Sequence, residues 1–308
     1  MIARAPRSRP LPVDWGAIAP LRISSRRVSE GYFAGGHRSV RRGAGVEFGG
    51  QRPYVPGDDL RFLDRRSLLR HDRLLVREFD TETERVVWLA LDASRSMSFR
   101  GEAAPCSKFA YAALLAAALA RIAIAGQDPV ALAWLGEGEG LAGHAPGFGA
   151  PQMERVVHTL ESVEATLDIA GDPRVFERCC ASIARRARRG SVVVVFSDLL
   201  DLPPESMTSL AALGAAGRML VVVEVLDPIE RDLGYRGKVR LLSLEGKHEV
   251  TTDADLVRAE YVRRLDESSA RWQEALSLHG GRLVRATTRD DAVLIVRRVL
   301  EAISEARG

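Results

Sequence analysis

From residue 85 to the end of the chain, short apolar runs alternate with longer segments of helical periodicity. The runs are rich in Val, Leu and Ala, which is typical of strands buried on both faces of a parallel sheet. The predicted strands cover residues 86–91, 129–135, 191–197, 219–226 and 282–286. The predicted helices between them cover residues 106–125, 151–163, 174–189 and 204–216. Helices that join consecutive strands as right-handed crossovers give an α/β fold with a doubly wound, mainly parallel sheet.

The rest of the chain lacks this alternation. Residues 1–30 are rich in Pro, Arg and Ser with little apolar periodicity, and they predict a partly ordered arm. Residues 31–84 predict a turn-rich accessory region. Within the main domain, residues 85–308, the partial alternation and central Gly of residues 236–252 predict a β-hairpin outside the sheet. Two C-terminal helices are predicted over residues 253–279 and 291–305.

Acidic residues directly follow two of the predicted strands. Asp92 follows the first and opens an Asp-Ala-Ser-Arg-Ser stretch that also presents Ser94 and Ser96, and the pair Ser197-Asp198 closes the third. Because the carboxyl ends of parallel strands meet at one edge of a sheet, these side chains are expected to lie close together. Their oxygen donors suit a hard cation, so the sequence predicts a Mg²⁺ or Mn²⁺ site.

A structural interpretation of the same residues stays open. Short polar residues at strand-to-helix turns commonly cap a helix or satisfy loop backbone, and Asp92 with its two serines could do no more than that.

The composition bounds the class of protein. A chain of 308 residues with 46% apolar content can hold one α/β domain and an accessory region. Three cysteines, two of them adjacent at 179 and 180, favour a reducing compartment over a disulfide framework. The N-terminus lacks the apolar core of a signal peptide, and the longest apolar stretch, 109–125, is short for a membrane span and carries Arg121. These features predict a cytoplasmic protein with no membrane span.

Positive charge is concentrated in the first quarter of the chain. Residues 1–80 hold 16 Arg and no Lys against 9 acidic residues, within a total net charge of +3. The arginines are interspersed with acids and glycines, so the pattern argues against a continuous nucleic-acid-binding run.

A longer motif series accompanies the possible metal site. It comprises Gly-Ala-Gly-Val-Glu-Phe at 43–48, Tyr-Val-Pro-Gly-Asp-Asp-Leu-Arg at 54–61, Leu-Val-Arg-Glu-Phe at 75–79 and the Asp92 stretch. The series closely resembles the signature of a bacterial family called domain of unknown function 58, over roughly residues 30 to 305. The resemblance implies a von Willebrand factor A-like domain with a metal-ion-dependent adhesion site (MIDAS). It also implies partnership with MoxR-type AAA+ ATPases that mature or remodel other proteins.

The chain departs from that family's pattern at two places. Arg65 follows Asp64 where the family usually has Trp. The resemblance also implies a Thr ligand near residues 171–173, but the chain has Asp172 there and its nearest Thr is Thr166. Asp172 is therefore a candidate fifth ligand that replaces the Thr.

Three functions follow as hypotheses. The first is a non-enzymatic adaptor that engages an AAA+ ATPase or its client through the metal-bearing edge. The second is a metal-dependent phosphohydrolase using Asp92, which would need a second acid two residues on, where Ser94 stands, or a nearby Lys. The third is nucleic-acid binding through the Arg-rich N-terminal region.

Overall fold

The computed structural model describes residues 13–34, 48–53, 75–79, 85–135, 143–162, 174–200, 202, 204–244 and 249–306. The chain forms two compact units, one of residues 1–38 together with 85–308 and one of residues 39–84. The strands are β1 (Phe48–Pro53), β2 (Leu75–Phe79), β3 (Val87–Asp92), β4 (Val130–Leu135), β5 (Gly143–Gly147), β6 (Val192–Ser197), β7 (Met219–Leu226), β8 (Lys238–Leu242), β9 (Glu249–Asp253) and β10 (Arg282–Thr287). The helices are α1 (Leu21–Ala34), α2 (Lys108–Ala125), α3 (Gly149–Ser162), α4 (Arg174–Arg186), α5 (Pro204–Ala211), α6 (Pro228–Asp232), α7 (Ala254–Ser277) and α8 (Ala292–Glu305).

The larger unit is built on a six-stranded sheet with the order β10-β7-β6-β3-β4-β5. Five strands are parallel, and β5 pairs antiparallel with β4 at one edge. The predicted α/β class with a mainly parallel sheet is confirmed, and the five predicted strands lie within one residue of the observed bounds. β5 is an additional edge strand that the apolar pattern did not predict.

Every residue of β3, β4, β6 and β7 is buried, because helices cover both faces of the sheet. Alternate residues serve opposite faces: Leu89 and Leu91 pack toward α1, α2, α3 and α8, while Trp88 and Ala90 pack toward α4, α5 and α7. This two-sided burial explains the near-continuous apolar runs of the strands.

Helix α2 forms the centre of the first of these layers. Ser107 caps it by accepting a hydrogen bond from the Ala110 N–H, and its Ala-rich body is buried on nearly all sides. Among the described helices, α2 is the one whose length and hydropathy would allow it to cross a membrane. In this structure 78% of that segment is buried inside the protein, as in the core helix of a globular domain.

The N-terminal region differs from the predicted arm over residues 1–30. Residues 21–34 form helix α1, which packs against α2 and belongs to the same unit as the sheet. Leu21 is fully buried, and its backbone N–H donates a hydrogen bond to Glu161 Oε1 of α3. The boundary of the smaller unit accordingly falls at residue 39, eight residues beyond the predicted start at 31.

Two antiparallel pairs lie outside the six-stranded sheet. In the smaller unit β1 pairs with β2, with an irregularity in register between Phe48 and Gly50. In the larger unit β8 pairs with β9, where the sequence predicts a hairpin over residues 236–252.

Candidate metal centre

The sheet order reverses direction between β3 and β6. From β3 the chain continues outward to β4 on one side, and from β6 it continues outward to β7 on the other. Such a switch point opens a crevice at the carboxyl edge, where doubly wound sheets bind ligands. Asp92 is the last residue of β3, and Ser197 is the last residue of β6, directly followed by Asp198. The two acidic strand ends therefore meet at the switch point, as expected from the sequence.

The Asp92 carboxylate is the centre of a buried hydrogen-bond group. Its Oδ1 accepts from the Ser94 backbone N–H at 2.9 Å, and its Oδ2 accepts from Ser197 Oγ at 2.6 Å. The hydroxyls of Ser94 and Ser96 lie 3.0 Å apart and share a hydrogen bond. Asp92 and Ser94 are each 1% exposed. These contacts gather one carboxylate and three hydroxyls in one place.

Asp92 does not cap the following long helix, since Ser107 does so. Its bond to the Ser94 N–H is the local turn that short acidic side chains often make. The structural interpretation thus accounts for one oxygen of Asp92, while the other receives a hydroxyl from β6.

The electrostatic environment of Asp92 is unfavourable to its charged form. Burial is the main cause and the neighbouring Asp198 the second, and together they raise the pKa of Asp92 to about 7, against the hydrogen bonds from Ser197 and Ser94. A carboxylate held in this way gains from a nearby cation, because opposite charge favours ionisation. A hard divalent ion beside Asp92 would therefore favour the ionised carboxylate, and the nearby serine hydroxyls are oxygen donors that such an ion accepts.

Asp198 is paired with a lysine that the sequence reasoning missed. The Lys108 ammonium donates to Asp198 Oδ2 and to Glu230 Oε1, each at 2.8 Å, and lies 5.8 Å from the centre of the Phe99 ring. Lys108 is 0% exposed. Burial alone would favour the neutral amine, but Asp198 and Glu230 outweigh it and raise the pKa of Lys108 above its ordinary value. The lysine therefore stays charged inside the protein.

Glu230 connects this pair to a further loop. Its Oε2 accepts from the Asp227 N–H at 3.1 Å, while Asp227 Oδ1 accepts from the Ile229 N–H, which forms a capping box at the start of α6. Asp227 Oδ2 also accepts from the Gly101 N–H in the segment after β3. Burial is the main reason that the pKa of Glu230 is raised, and Lys108 opposes that shift. The Asp-Pro-Ile-Glu sequence at 227–230 is the signal that could have predicted this cap.

The predicted ligands are thus brought together in part. Asp92, Ser94 and Ser96 share direct contacts, and Asp198 lies near enough to Asp92 to raise its pKa while paired with Lys108. Asp172 and Thr166 lie outside the described residues. Within the described part of the chain, no three His, Cys, Asp or Glu side chains form a metal cluster. The fit to a cation therefore rests on carboxylates combined with hydroxyls.

Formal charge adds to this fit. The Lys108 ammonium contacts the Asp198 and Glu230 carboxylates, and Asp92 lies beside Asp198; these four groups carry a formal charge of −2 when all are ionised. A divalent cation would balance that charge. The residues present therefore fit a hard metal ion on the Asp92 side of the group.

Several known proteins are similar to this chain in structure or in sequence. The crystal structure of an aerotolerance-related membrane protein from Bacteroides fragilis is similar, with 15% sequence identity, a TM-score of 0.45, and coverage of 72% of this chain and 99% of that one. The uncharacterized proteins Mb1516 of Mycobacterium bovis and Rv1480 of Mycobacterium tuberculosis are each 29% identical over 230 residues. Each alignment covers 74% of this chain and 70% of the relative.

A protein-family model matches most of the larger unit and part of the smaller one. The model described as "Protein of unknown function DUF58" matches residues 50–271, which include the ends of β3 and β6 together with Lys108 and Glu230. The predicted resemblance is thereby confirmed, and the chain belongs to the DUF58 family.

Proposed function

We propose that this protein is a non-enzymatic interaction adaptor with a von Willebrand factor A-like domain. In this proposal the carboxyl edge of the sheet binds Mg²⁺ or Mn²⁺ and docks an acidic group of a partner. The partner is a MoxR-type AAA+ ATPase or its client protein, and the adaptor acts in the cytoplasm during maturation or remodelling of that client.

The observation that carries the proposal is the buried Asp92 carboxylate with the Ser94 and Ser96 hydroxyls beside it. Asp92 would hold the ion directly, the serine hydroxyls would add two oxygens, and water would fill the remaining positions. When bound, the ion supplies a Lewis-acidic position that an acidic side chain of a partner can fill. Asp92 alone contributes only one negative charge on that side, because Asp198 is paired with Lys108. Such an ion keeps affinity for an added carboxylate.

The topology supports the von Willebrand factor A-like assignment. The sheet has parallel central strands, one antiparallel edge strand, and an Asp-x-Ser-x-Ser stretch at the end of its first central strand, β3. A mainly parallel sheet and the Asp-x-Ser-x-Ser stretch are features that the family resemblance implies.

A metal titration tests the first half of the proposal. Calorimetric titration of the full chain with Mn²⁺ is expected to show one site, which the Asp92→Ala variant loses. Asp290→Ala is the matched control, because Asp290 is an exposed carboxylate after β10 at the same edge of the sheet. Equal Mn²⁺ binding by wild type and Asp92→Ala would remove Asp92 from the site.

A binding assay tests the second half. A MoxR-type ATPase from the same genome, immobilised without nucleotide, is expected to retain the protein in Mg²⁺ and release it in EDTA. The same retention by wild type and Asp92→Ala in both buffers would contradict metal-dependent docking. Absence of retention in Mg²⁺ would contradict the choice of partner.

One observation favours the phosphohydrolase as a second candidate. That activity would need a second acid two residues after Asp92 or a nearby Lys, and Lys108 contacts Asp198 beside Asp92. The acid expected two residues after Asp92 is absent, since Ser94 stands there, and Lys108 is already bonded to two carboxylates. Turnover of p-nitrophenyl phosphate in Mg²⁺ that is lost in Asp92→Asn would establish the enzyme and displace the adaptor.

A further inference from the structure

The Lys108 ammonium binds Asp198, a carboxylate that was expected to ligate the divalent ion. We infer that Lys108 is a built-in competitor of the divalent ion: by holding Asp198, it keeps that carboxylate from ligating the metal and sets a low metal affinity. This inference rests on the proposed metal site and names the residue that tunes it.

Both carboxylate oxygens of Asp198 already accept hydrogen bonds. Its Oδ1 accepts from the Leu200 N–H at 3.0 Å, and its Oδ2 accepts from Lys108 Nζ at 2.8 Å. Asp198 is 1% exposed, so water cannot readily replace these donors. For Asp198 to turn an oxygen toward a metal ion, it has to weaken a bond that the protein already satisfies.

The Lys108 ammonium is held inside the protein, away from solvent. It is 0% exposed, and among the residues that the structure describes its charge is compensated by one other carboxylate in direct contact, that of Glu230. A metal ion that takes Asp198 therefore leaves the ammonium with Glu230 alone, beside an added double positive charge. Repulsion between cations in a buried site is strong, because the interior screens charge poorly.

The position of Lys108 in the secondary structure does not favour a cation. It is the first residue of α2, where the partial positive charge of the helix N-terminus disfavours a cation. A buried ion pair adds little net stability compared with apolar residues of similar size. Neither the helix nor the packing explains a lysine here, whereas control of the charge around Asp92 and Asp198 does.

The test uses Mn²⁺ titration calorimetry on the full-length chain. Lys108→Met frees Asp198 but also changes the formal charge of the group from −2 to −3. The double variant Lys108→Met/Glu230→Gln frees Asp198 and keeps the formal charge at −2, since it removes one ammonium and one carboxylate together. Arg231→Met is the charge control: it removes a cation on the same helix as Glu230 whose ion-pair partner is Asp266.

The double variant is expected to bind Mn²⁺ about tenfold or more tightly than wild type, the gain of one additional carboxylate ligand. Arg231→Met is expected to stay within about twofold of wild type, because Arg231 pairs with Asp266 and not with a carboxylate of this group. Binding by the double variant that is no tighter than wild type would overturn the inference and leave the metal site intact. Absence of Mn²⁺ binding in wild type and in all variants would overturn the metal site and the inference together.

Asp198→Asn gives an independent measurement that keeps the lysine in place. If Lys108 holds Asp198 in the wild type, this change weakens Mn²⁺ binding by less than about tenfold, since Asp198 is then not a direct ligand of the metal. A loss of about a hundredfold or more would show that Asp198 ligates the metal freely, which contradicts competition by Lys108. Circular dichroism of each variant establishes that the fold is retained, and should the double variant unfold, the Asp198→Asn result decides.

Discussion

Replacement of Asp92 by Asn is expected to stabilise the metal-free protein above neutral pH. Asn has nearly the same shape as Asp but carries no charge. It removes the carboxylate that burial and Asp198 disfavour, and it retains an oxygen that can accept from the Ser94 N–H. Its amide nitrogen cannot accept from Ser197 Oγ as Oδ2 of Asp92 does, so one hydrogen bond has to rearrange.

The size of the effect follows from the pKa of Asp92. Its ordinary value is 3.8 and its value in the folded protein is about 7. An acid with a raised pKa in the folded state contributes stability that is fully present below pH 3.8 and is lost as the pH rises through about 7. At about 1.4 kcal/mol for each pKa unit, the wild type loses up to about 4 kcal/mol over this window. Subtracting about 1 kcal/mol for the rearranged hydrogen bond, Asp92→Asn should exceed wild type by about 2–3 kcal/mol at pH 8.

The assay is urea unfolding of both proteins in EDTA at pH 5, 6, 7 and 8. The difference between the two free energies of unfolding is the quantity of interest, because the remaining titratable groups are common to both chains. The advantage of Asp92→Asn should grow with pH and diminish when Mg²⁺ is added, since the ion stabilises only the wild-type carboxylate. Asp290→Asn, at an exposed position, controls for the change from carboxyl to amide.

One result would refute the reasoning. If Asp92→Asn is less stable than wild type at pH 8 in EDTA, the carboxylate is well accommodated without a metal. The Ser197 and Ser94 hydrogen bonds would then outweigh burial, and the electrostatic case for a cation beside Asp92 would fail.

Three further changes test the fold around the site. Gly143→Ala should disrupt the edge strand and cost more than about 2 kcal/mol, because Gly143 has φ +144° and an added Cβ would lie 2.0 Å from the Leu132 carbonyl oxygen; urea unfolding measures this, with Gly149→Ala, at φ +67° but without a clash, as a milder control. Asp227→Ala should cost about 1–3 kcal/mol in the same assay, since it leaves two backbone N–H groups without their acceptor. Leu115→Ala should cost about 2–5 kcal/mol because Leu115 is fully buried, and a midpoint equal to that of wild type would contradict this packing.

The strands were predictable where a run of β-branched or apolar residues is also buried on both faces of the sheet. β6 carries four consecutive valines and lies between two other strands, so its sequence shows its position directly. β5 has the sequence Gly-His-Ala-Pro-Gly, which contains no β-branched residue. It forms a strand because β4 provides hydrogen-bond partners, and an edge position tolerates Pro146. Pairing with a neighbour, which local sequence does not show, determines this element.

Helix α1 was missed for a related reason. Its buried positions include Ser25 and Ser29 beside Leu21 and Val28, so the apolar periodicity is weak. Each serine hydroxyl donates to the backbone carbonyl three residues earlier, that of Arg22 for Ser25, and therefore needs no other partner in the core. Small polar side chains of this kind can be buried between packed helices without an apolar signal in the sequence.

At the site, the sequence identified the residues of one continuous motif and of the neighbouring strand end. Asp92, Ser94 and Ser96 follow one another at intervals of two residues, and sheet topology brings Asp198 near them. Lys108 was not predicted, because lysine at a helix start is normally exposed. Its partner Glu230 is 122 residues away along the chain, so only the folded structure shows the pair.

The alanines of α2 also determine which substitutions this helix can accept. Ala112, Ala116 and Ala118 are each 0% exposed, and neighbouring elements enclose the helix on nearly all sides. Larger apolar residues at such positions force shifts in the surrounding core. A segment that faces lipid, in contrast, accepts Leu or Ile in place of Ala without loss. In a saturation mutagenesis library, Ala-to-Leu changes should therefore be depleted around the whole circumference of α2, a pattern that separates this core helix from a membrane span of the same hydropathy.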